Sequence, residues 1–184
     1  MYGGSRIPGV LVDDASTADA VKEFGFKHED EILLLERNLA GFRALVDRQQ
    51  MTVRRQYNIN PEADPMESSW WECCTLGLAQ RDAFKAFDRK SNSMCGRVIF
   101  WDIQPLATEW SVAARGLYGL EVEEQRRGQG LATFLLGESL RHLMQQGVSL
   151  VQAQVSQRDT ASKRVFEKLE FTERTRGVVY SKAI

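Results

Sequence analysis

Residues 122–136 read VEEQRRGQGLATFLL. An apolar run ends, two arginines and two glycines follow, and an apolar stretch begins with no further linker. Leu131, Leu135, Leu136, Leu140 and Leu143 recur at the spacing of one helix face, so the turn is expected to open a helix of about 18 residues. The first backbone N–H groups of a helix lack partners, and the helix dipole adds partial positive charge there. Gly128 and Gly130 have no Cβ, so an anion can approach the main chain and the turn can take φ/ψ values closed to other residues. Arg126 and Arg127 add charge. On this chemistry residues 127–133 form a pyrophosphate cradle. The competing reading is a glycine-softened strand-to-helix turn with solvated arginines. The GxGxxG dinucleotide pattern fails at Thr133, and no GxxxxGK[ST] is present.

Outward from the turn, the chain alternates helix and strand signals. After the long helix, GVSLVQAQV reads as a strand, TASKRVFEKL as a helix and TRGVVYSKAI as a final strand. Before the turn, SVAARGLYGLEV (111–122) reads as a strand bent near Gly116 and Gly119. DAFKAFDRK and GRVIFWDIQP read as two strands joined by the polar SNS. WWECCTLGL is expected to be a short helix, and NPEADPMESS (60–69) is the most loop-like region. MTVRRQYNI is expected to be a strand, preceded by a helix-like or irregular NLAGFRALVDRQ. VLV (10–12) is a short strand candidate, a capped helix ends at Gly25, and DEILLLER (30–37) reads as a strand or short helix. From residue 51 onward the order is that of an α/β or mixed α+β protein with a mixed sheet.

Composition bounds the function. The 184 residues are 43% apolar and 27% charged, with a net charge of −1. That balance gives no electrostatic support to a nucleic-acid or membrane-surface role. No apolar run approaches a membrane span, and the N-terminus lacks signal-peptide regions, so a cytoplasmic location is expected. Cys73, Cys74 and Cys95 form no even disulfide framework and no CxxC pair, and read as reduced packing residues. No metal site is expected. His142, late on the long helix, and His28, in a loop, read as surface residues. Trp70, Trp71, Trp101 and Trp110 are candidates for an acceptor pocket, with packing as the alternative.

RRGQGLATFLL resembles the acetyl-CoA motif R/Q-x-x-G-x-G/A of the GNAT N-acetyltransferases through Arg127, Gly130 and Ala132. LEV (120–122) resembles the family's bulged strand. DTASKRVFEKLEF (159–171) resembles its second signature, N-x-x-a-x-x-l-Y-e-k-l-G-F. The resemblance is detailed over residues 112–183 and looser over 51–104. It implies a splayed mixed sheet flanked by helices, with acetyl-CoA between the strand ending at Val122 and the strand 148–156. Pantetheine would pair with backbone near Leu120 and Val122. The pyrophosphate would sit on residues 127–133, that is Arg127, Gly128, Gln129, Gly130, Leu131, Ala132 and Thr133. Asp159 and Phe166 would complete the cosubstrate site. The resemblance makes the protein an N-acetyltransferase acting by direct transfer to an unidentified amine; the alternative is a catalytically weak or inactive acyl-CoA-binding module. A Rossmann-type nucleotide binder is disfavoured by the missing third glycine and the many strands before the turn.

Three positions depart from the pattern. Asp159 replaces Asn and can cap equally. Glu170 replaces Gly, which implies a different turn. Phe166 replaces the tyrosine that can protonate the departing thiolate in family members, and Phe has no proton to give; its alternative reading is a core residue on the face of helix 160–169. Tyr118 is a candidate replacement acid, with packing on its strand as the alternative reading. Glu121 and Glu123 are candidate bases, with a solvated carboxylate as the alternative reading.

The N-terminal VLVDDASTADAVKEFGFKHEDEILLLER repeats the pattern of the C-terminal third. Placing Phe26 on Phe171 (171 − 26 = 145) puts Asp14 on Asp159 and Val21 on Phe166. Residues 1–37 are expected to be a partial GNAT-like β-α-β segment, and 38–184 the acetyltransferase domain. The segment reads as the tail of a first unit of a tandem protein, with an unrelated β-α-β extension as the alternative. Its apolar residues call either for a place in the chain's own sheet or for pairing in a two-fold homodimer, and the dimer is the expectation.

Overall fold

The computed structural model describes residues 9–63, 80–103 and 112–182. They form one eight-stranded mixed sheet with helices packed against it. The strands are β1 (Val10–Leu11), β2 (Lys27–Asn38), β3 (Tyr57–Ala63), β4 (Arg81–Asp88), β5 (Met94–Asp102), β6 (Ala114–Val122), β7 (Leu150–Ser156) and β8 (Thr172–Ser181). The helices are α1 (Ala15–Glu23), α2 (Arg48–Gln56), α3 (Leu131–Gln145) and α4 (Thr160–Lys168). The strand order is β1-β8-β2-β7-β6-β5-β4-β3, and only the β6–β7 pairing is parallel. Among the described residues no helix is long and apolar enough to cross a membrane.

The five leucines of α3 are buried against Phe84, Val98 and Phe100 from the sheet, as their helical spacing requires. The helix has 15 residues rather than about 18, because Gly147 takes φ +91° directly after the C-cap. His142 is not a free surface residue: its ring meets Phe84 edge-on at 5.3 Å. His28 lies on β2, not in a loop. Cys95 is buried. Trp70, Trp71, Trp110, Cys73 and Cys74, and the helix expected at WWECCTLGL, lie outside the described residues.

Two expectations are corrected upstream. The strand expected over MTVRRQYNI begins only at Tyr57; residues 48–56 are helix α2. The Asp47 carboxylate caps it by accepting the Gln50 N–H at 2.7 Å, and Gln50 and Val53, three apart, turn inward. The loop expected at 60–69 is strand as far as Ala63, with Pro61 opposite Phe84. β3 ends the sheet, and an edge strand tolerates a residue without an N–H.

Residues 27–38 are the centre of one half of the sheet. β2 pairs β7 on one side and β8 on the other, and so crosses the expected boundary at 37/38. The run Ile32–Leu35 is paired on both sides within this chain, so it offers no free edge to a second copy. Val12, Phe24 and Phe26 remain exposed.

The shift of 145 also relates the two β-α-β segments in their hydrogen bonds and strand pairings. Helices α1 and α4 have 9 residues each. Asp14 accepts the Thr17 N–H, and Asp159 the Ser162 N–H, both at 3.0 Å. Phe26 N–H reaches Val21 O at 3.2 Å, and Phe171 N–H reaches Phe166 O at 3.0 Å. The pairings obey one local two-fold relation: Val10↔Val178 matches Leu33↔Val155, Lys27↔Ser181 matches Glu36↔Thr172, and Ile32↔Gly177 maps onto itself. The dyad passes through that last pair.

Candidate functional site

β6 and β7 run side by side only at Ala114↔Leu150, Arg115↔Val151 and Gly116↔Gln152. Beyond Gly116 they part. At the same place β6 bulges: Phe100 lies opposite Leu117 and Ile99 opposite Gly119, leaving Tyr118 between the rungs. The bulge resets the alternation, so Leu117, Leu120 and Val122 all pack on the core while Glu121 is exposed. Without it, an odd offset from 117 to 120 would reverse the face.

On the β6 side of this parting lies a cleft of about 560 Å³, within the range of small-molecule sites. Leu120, Glu121 and Val122 of β6 form one wall. Arg126, Arg127, Gly128, Gly130, Leu131, Ala132 and Thr133 form its end. Asp159, Ala161, Ser162, Arg164, Val165 and Lys168 supply the wall from α4. The structure therefore brings together nine of the residues expected from sequence: Leu120, Val122, Arg127, Gly128, Gly130, Leu131, Ala132, Thr133 and Asp159. Glu121 lines the same cleft.

Five expected residues stand elsewhere. Gln129 turns back, its amide donating to Gln125 O at 3.0 Å. Tyr118 sits half-buried at the bulge, outside the cleft wall. Glu123 is exposed and outside the wall, its own N–H donating to Cys95 O. Phe166 is 3% exposed and packs on Phe171, with ring centroids 5.1 Å apart, on the core side of α4. Trp101 is half-buried on β5 and also outside the wall.

At the cleft's end, α3 has no side-chain cap. Its first hydrogen bond from outside the helix proper is Phe134 N–H to Gly130 O, and no bond leaves the N–H groups of Leu131, Ala132 or Thr133 among the described residues. Three donors and the positive end of the dipole are thus available to an anion. Gly128 and Gly130 take φ +74° and +89°, the left-handed region, so glycine is required on conformational grounds. At Gly130 a second reason applies: a Cβ there would lie 3.0 Å from Gln49 Cδ and 3.2 Å from Gln50 Nε2. That space belongs to α2, not to a ligand.

Gln49 and Gln50 are site residues that sequence reading missed. Gln49 lines the cleft, and buried Gln50 donates to Gly130 O at 3.4 Å. The contact joins positions 80 apart, and no local pattern announces it.

The cations of the turn are already engaged. Arg126 donates to Tyr57 Oη at 3.1 Å and pairs with Asp88 at 3.2 Å. Arg127 Nε donates to Val122 O at 3.2 Å, tying the turn back to its strand. Asp159 is pushed up by burial, but bonds from the Ser162 hydroxyl and from the Ser162 and Ala161 N–H groups outweigh this and hold its carboxyl below the usual aspartate range.

A parting of parallel strands that meets an uncapped helix N-terminus fits the profile match. The sequence profile of the acetyltransferase (GNAT) family matches residues 51–171, well over half of the chain. The chain belongs to the GNAT acetyltransferase family. Known folds agree. A tandem GNAT protein from the clavulanic acid biosynthesis pathway aligns with a TM-score of 0.66 over 97% of this chain and 61% of its own, at 13% identity. A GCN5-related N-acetyltransferase from Sphaerobacter thermophilus aligns with a TM-score of 0.62 over 94% of this chain and 57% of its own, at 16% identity. A glucosamine N-acetyltransferase region of a fungal multi-domain β-N-acetylglucosaminidase aligns with a TM-score of 0.64 over 95% of this chain and 24% of its own, at 16% identity. This GNAT chain therefore spans less than two thirds of the length of each. No curated protein sequence matches it.

Proposed function

We propose that this protein is an acetyl-CoA-dependent N-acetyltransferase acting by direct transfer to an amine. The observation that carries the reading is the cleft on the β6 side of the parting from β7, closed at one end by the free N–H groups of Leu131, Ala132 and Thr133. Those groups take the pyrophosphate, with Arg127 and Gly128 beside it. Leu120 and Val122 offer the strand edge along which pantetheine lies. Asp159 holds the start of α4 in place.

In transfer, the amine nitrogen attacks the thioester carbonyl carbon, the carbon–sulfur bond breaks, and the amine gives up one proton. Two carboxylates line the cleft, Glu121 and Asp159; Asp159 is engaged in capping α4, so Glu121 is the base proposed for that proton. The thiol has a pKa near 8.5, so the sulfur can leave without a dedicated acid. Thiol release from acetyl-CoA across a panel of amines tests the activity. Glu121→Gln should slow it by roughly 10²–10⁴-fold; an unchanged rate assigns the proton elsewhere.

One observation favours a second reading, an acyl-CoA-binding module that transfers nothing: Phe166 lies in the core with no hydroxyl. Binding without thiol release to any amine would establish it.

We read residues 1–37 as a partial GNAT-like β-α-β segment. The shared caps, helix lengths and dyad support this. Among the described residues of this segment, Val12, Phe24 and Phe26 are the exposed large apolar side chains left to a homodimer. Sedimentation of the wild type against Phe24→Glu decides it: a dimer through this face dissociates in the variant, and a monomeric wild type disposes of the idea.

A further inference from the structure

α4 presents Arg164 and Lys168 to the cleft one turn apart. Both are exposed, and among the described residues neither makes a hydrogen bond or ion pair. Like charges at this spacing weaken a helix. Arg126 and Arg127, by contrast, already have protein partners.

The internal repeat supplies a control. Helix α1 has the same length and the same aspartate cap, and a shift of 145 carries Arg164 onto Asp19 and Lys168 onto Glu23. The two helices share a backbone plan and carry opposite charge at the same two places. The plan itself therefore does not call for cations. What differs is the surroundings: α4 faces a cleft with an uncapped helix N-terminus.

We infer that Arg164 and Lys168 bind the 3′-phosphate of CoA and make the site select CoA over dephospho-CoA. The inference rests on the acetyl-CoA reading of the cleft. The α3 N–H groups already serve the pyrophosphate. The remaining anionic group of CoA is the phosphate monoester on its ribose, and two unengaged cations on one wall fit it.

Calorimetric titration of the full chain with CoA and with dephospho-CoA tests this, in the wild type and in Arg164→Gln/Lys168→Gln. The wild type should bind CoA roughly 10-fold or more tightly than dephospho-CoA. The double variant should bind CoA no better than dephospho-CoA, and its dephospho-CoA affinity should stay within about twofold of the wild type; added salt should shrink the wild-type preference. Equal wild-type affinities overturn the inference while leaving the cosubstrate reading intact. So does a variant that keeps the preference, or one that weakens both ligands alike, which would place these cations on the pyrophosphate. A wild type that binds neither ligand overturns the cosubstrate reading along with it.

Discussion

Glu170 takes φ +57°, a conformation that L side chains rarely adopt. Its counterpart in the repeat is Gly25, at φ +81°. The turn expected to differ because Glu replaces Gly is thus the same left-handed turn, held at some cost. Arg37 steadies it by donating to Glu170 Oε2 at 2.8 Å and to Glu170 O at 3.2 Å. The glutamate side chain is 76% exposed, so that pair contributes little. Glu170→Gly should therefore stabilise the protein by about 0.5–1 kcal/mol, read as a higher denaturant midpoint; a lower midpoint would show that the Arg37 pair outweighs the strain. Phe166 poses the reverse case. A hydroxyl added there enters the core, so Phe166→Tyr should destabilise by about 1–3 kcal/mol and leave thiol release unchanged. Faster release would put the ring's edge at the reacting sulfur.

The helix caps can be read from sequence because capping is local: Asp14 and Asp159 each stand three residues before the N–H they accept. The Asp159 cap also predicts a pH response. Its folded carboxyl is held below the unfolded value of about 3.9. The stability it contributes is present above that value and is lost as pH falls through the folded one. Asp159→Asn keeps the cap oxygen and cannot titrate. Between about pH 4 and 2 the wild type should therefore lose more stability than Asp159→Asn, in acid titrations followed by circular dichroism; parallel losses would deny the cap this role. Helix α2 was not legible in the same way. Met51, Thr52 and Val53 read as strand, and the packing of Gln50 and Val53 beside α3, added to the Asp47 cap, makes them helical. The cradle was legible because glycines, arginines and a leucine face adjoin in sequence. Its α2 wall was not, since Gln49 and Gln50 reach it from a distant segment.

At the scale of the whole molecule, the repeat was readable as a pattern and its use was not. Two apolar β-α-β pieces can serve two chains or one sheet, and sequence patterning favours neither. In the fold they interleave as β1-β8-β2-β7 about the Ile32–Gly177 pair, so β2 is a central strand. Deleting residues 1–37 should then leave β7 and β8 without their shared partner and abolish cooperative unfolding; a soluble truncated protein with a sharp transition would contradict this. Ala132 is the position at which anion binding in the cleft is probed. It is the second residue of α3, beside the free N–H groups, and it lines the cleft. A carboxylate there favours the helix dipole by roughly 0.3–1 kcal/mol but occupies and repels the anion's place. Gly130→Val is a poorer probe, because the φ of +89° and the Gln49 contact would damage the unliganded fold too. At 100 times Kd, acetyl-CoA should stabilise the wild type by about 2.7 kcal/mol, a rise in melting temperature of roughly 5–10 °C. Ala132→Glu should melt no lower than the wild type when unliganded and show no rise with acetyl-CoA. An undiminished rise in the variant would mean that the α3 N-terminus does not hold the pyrophosphate.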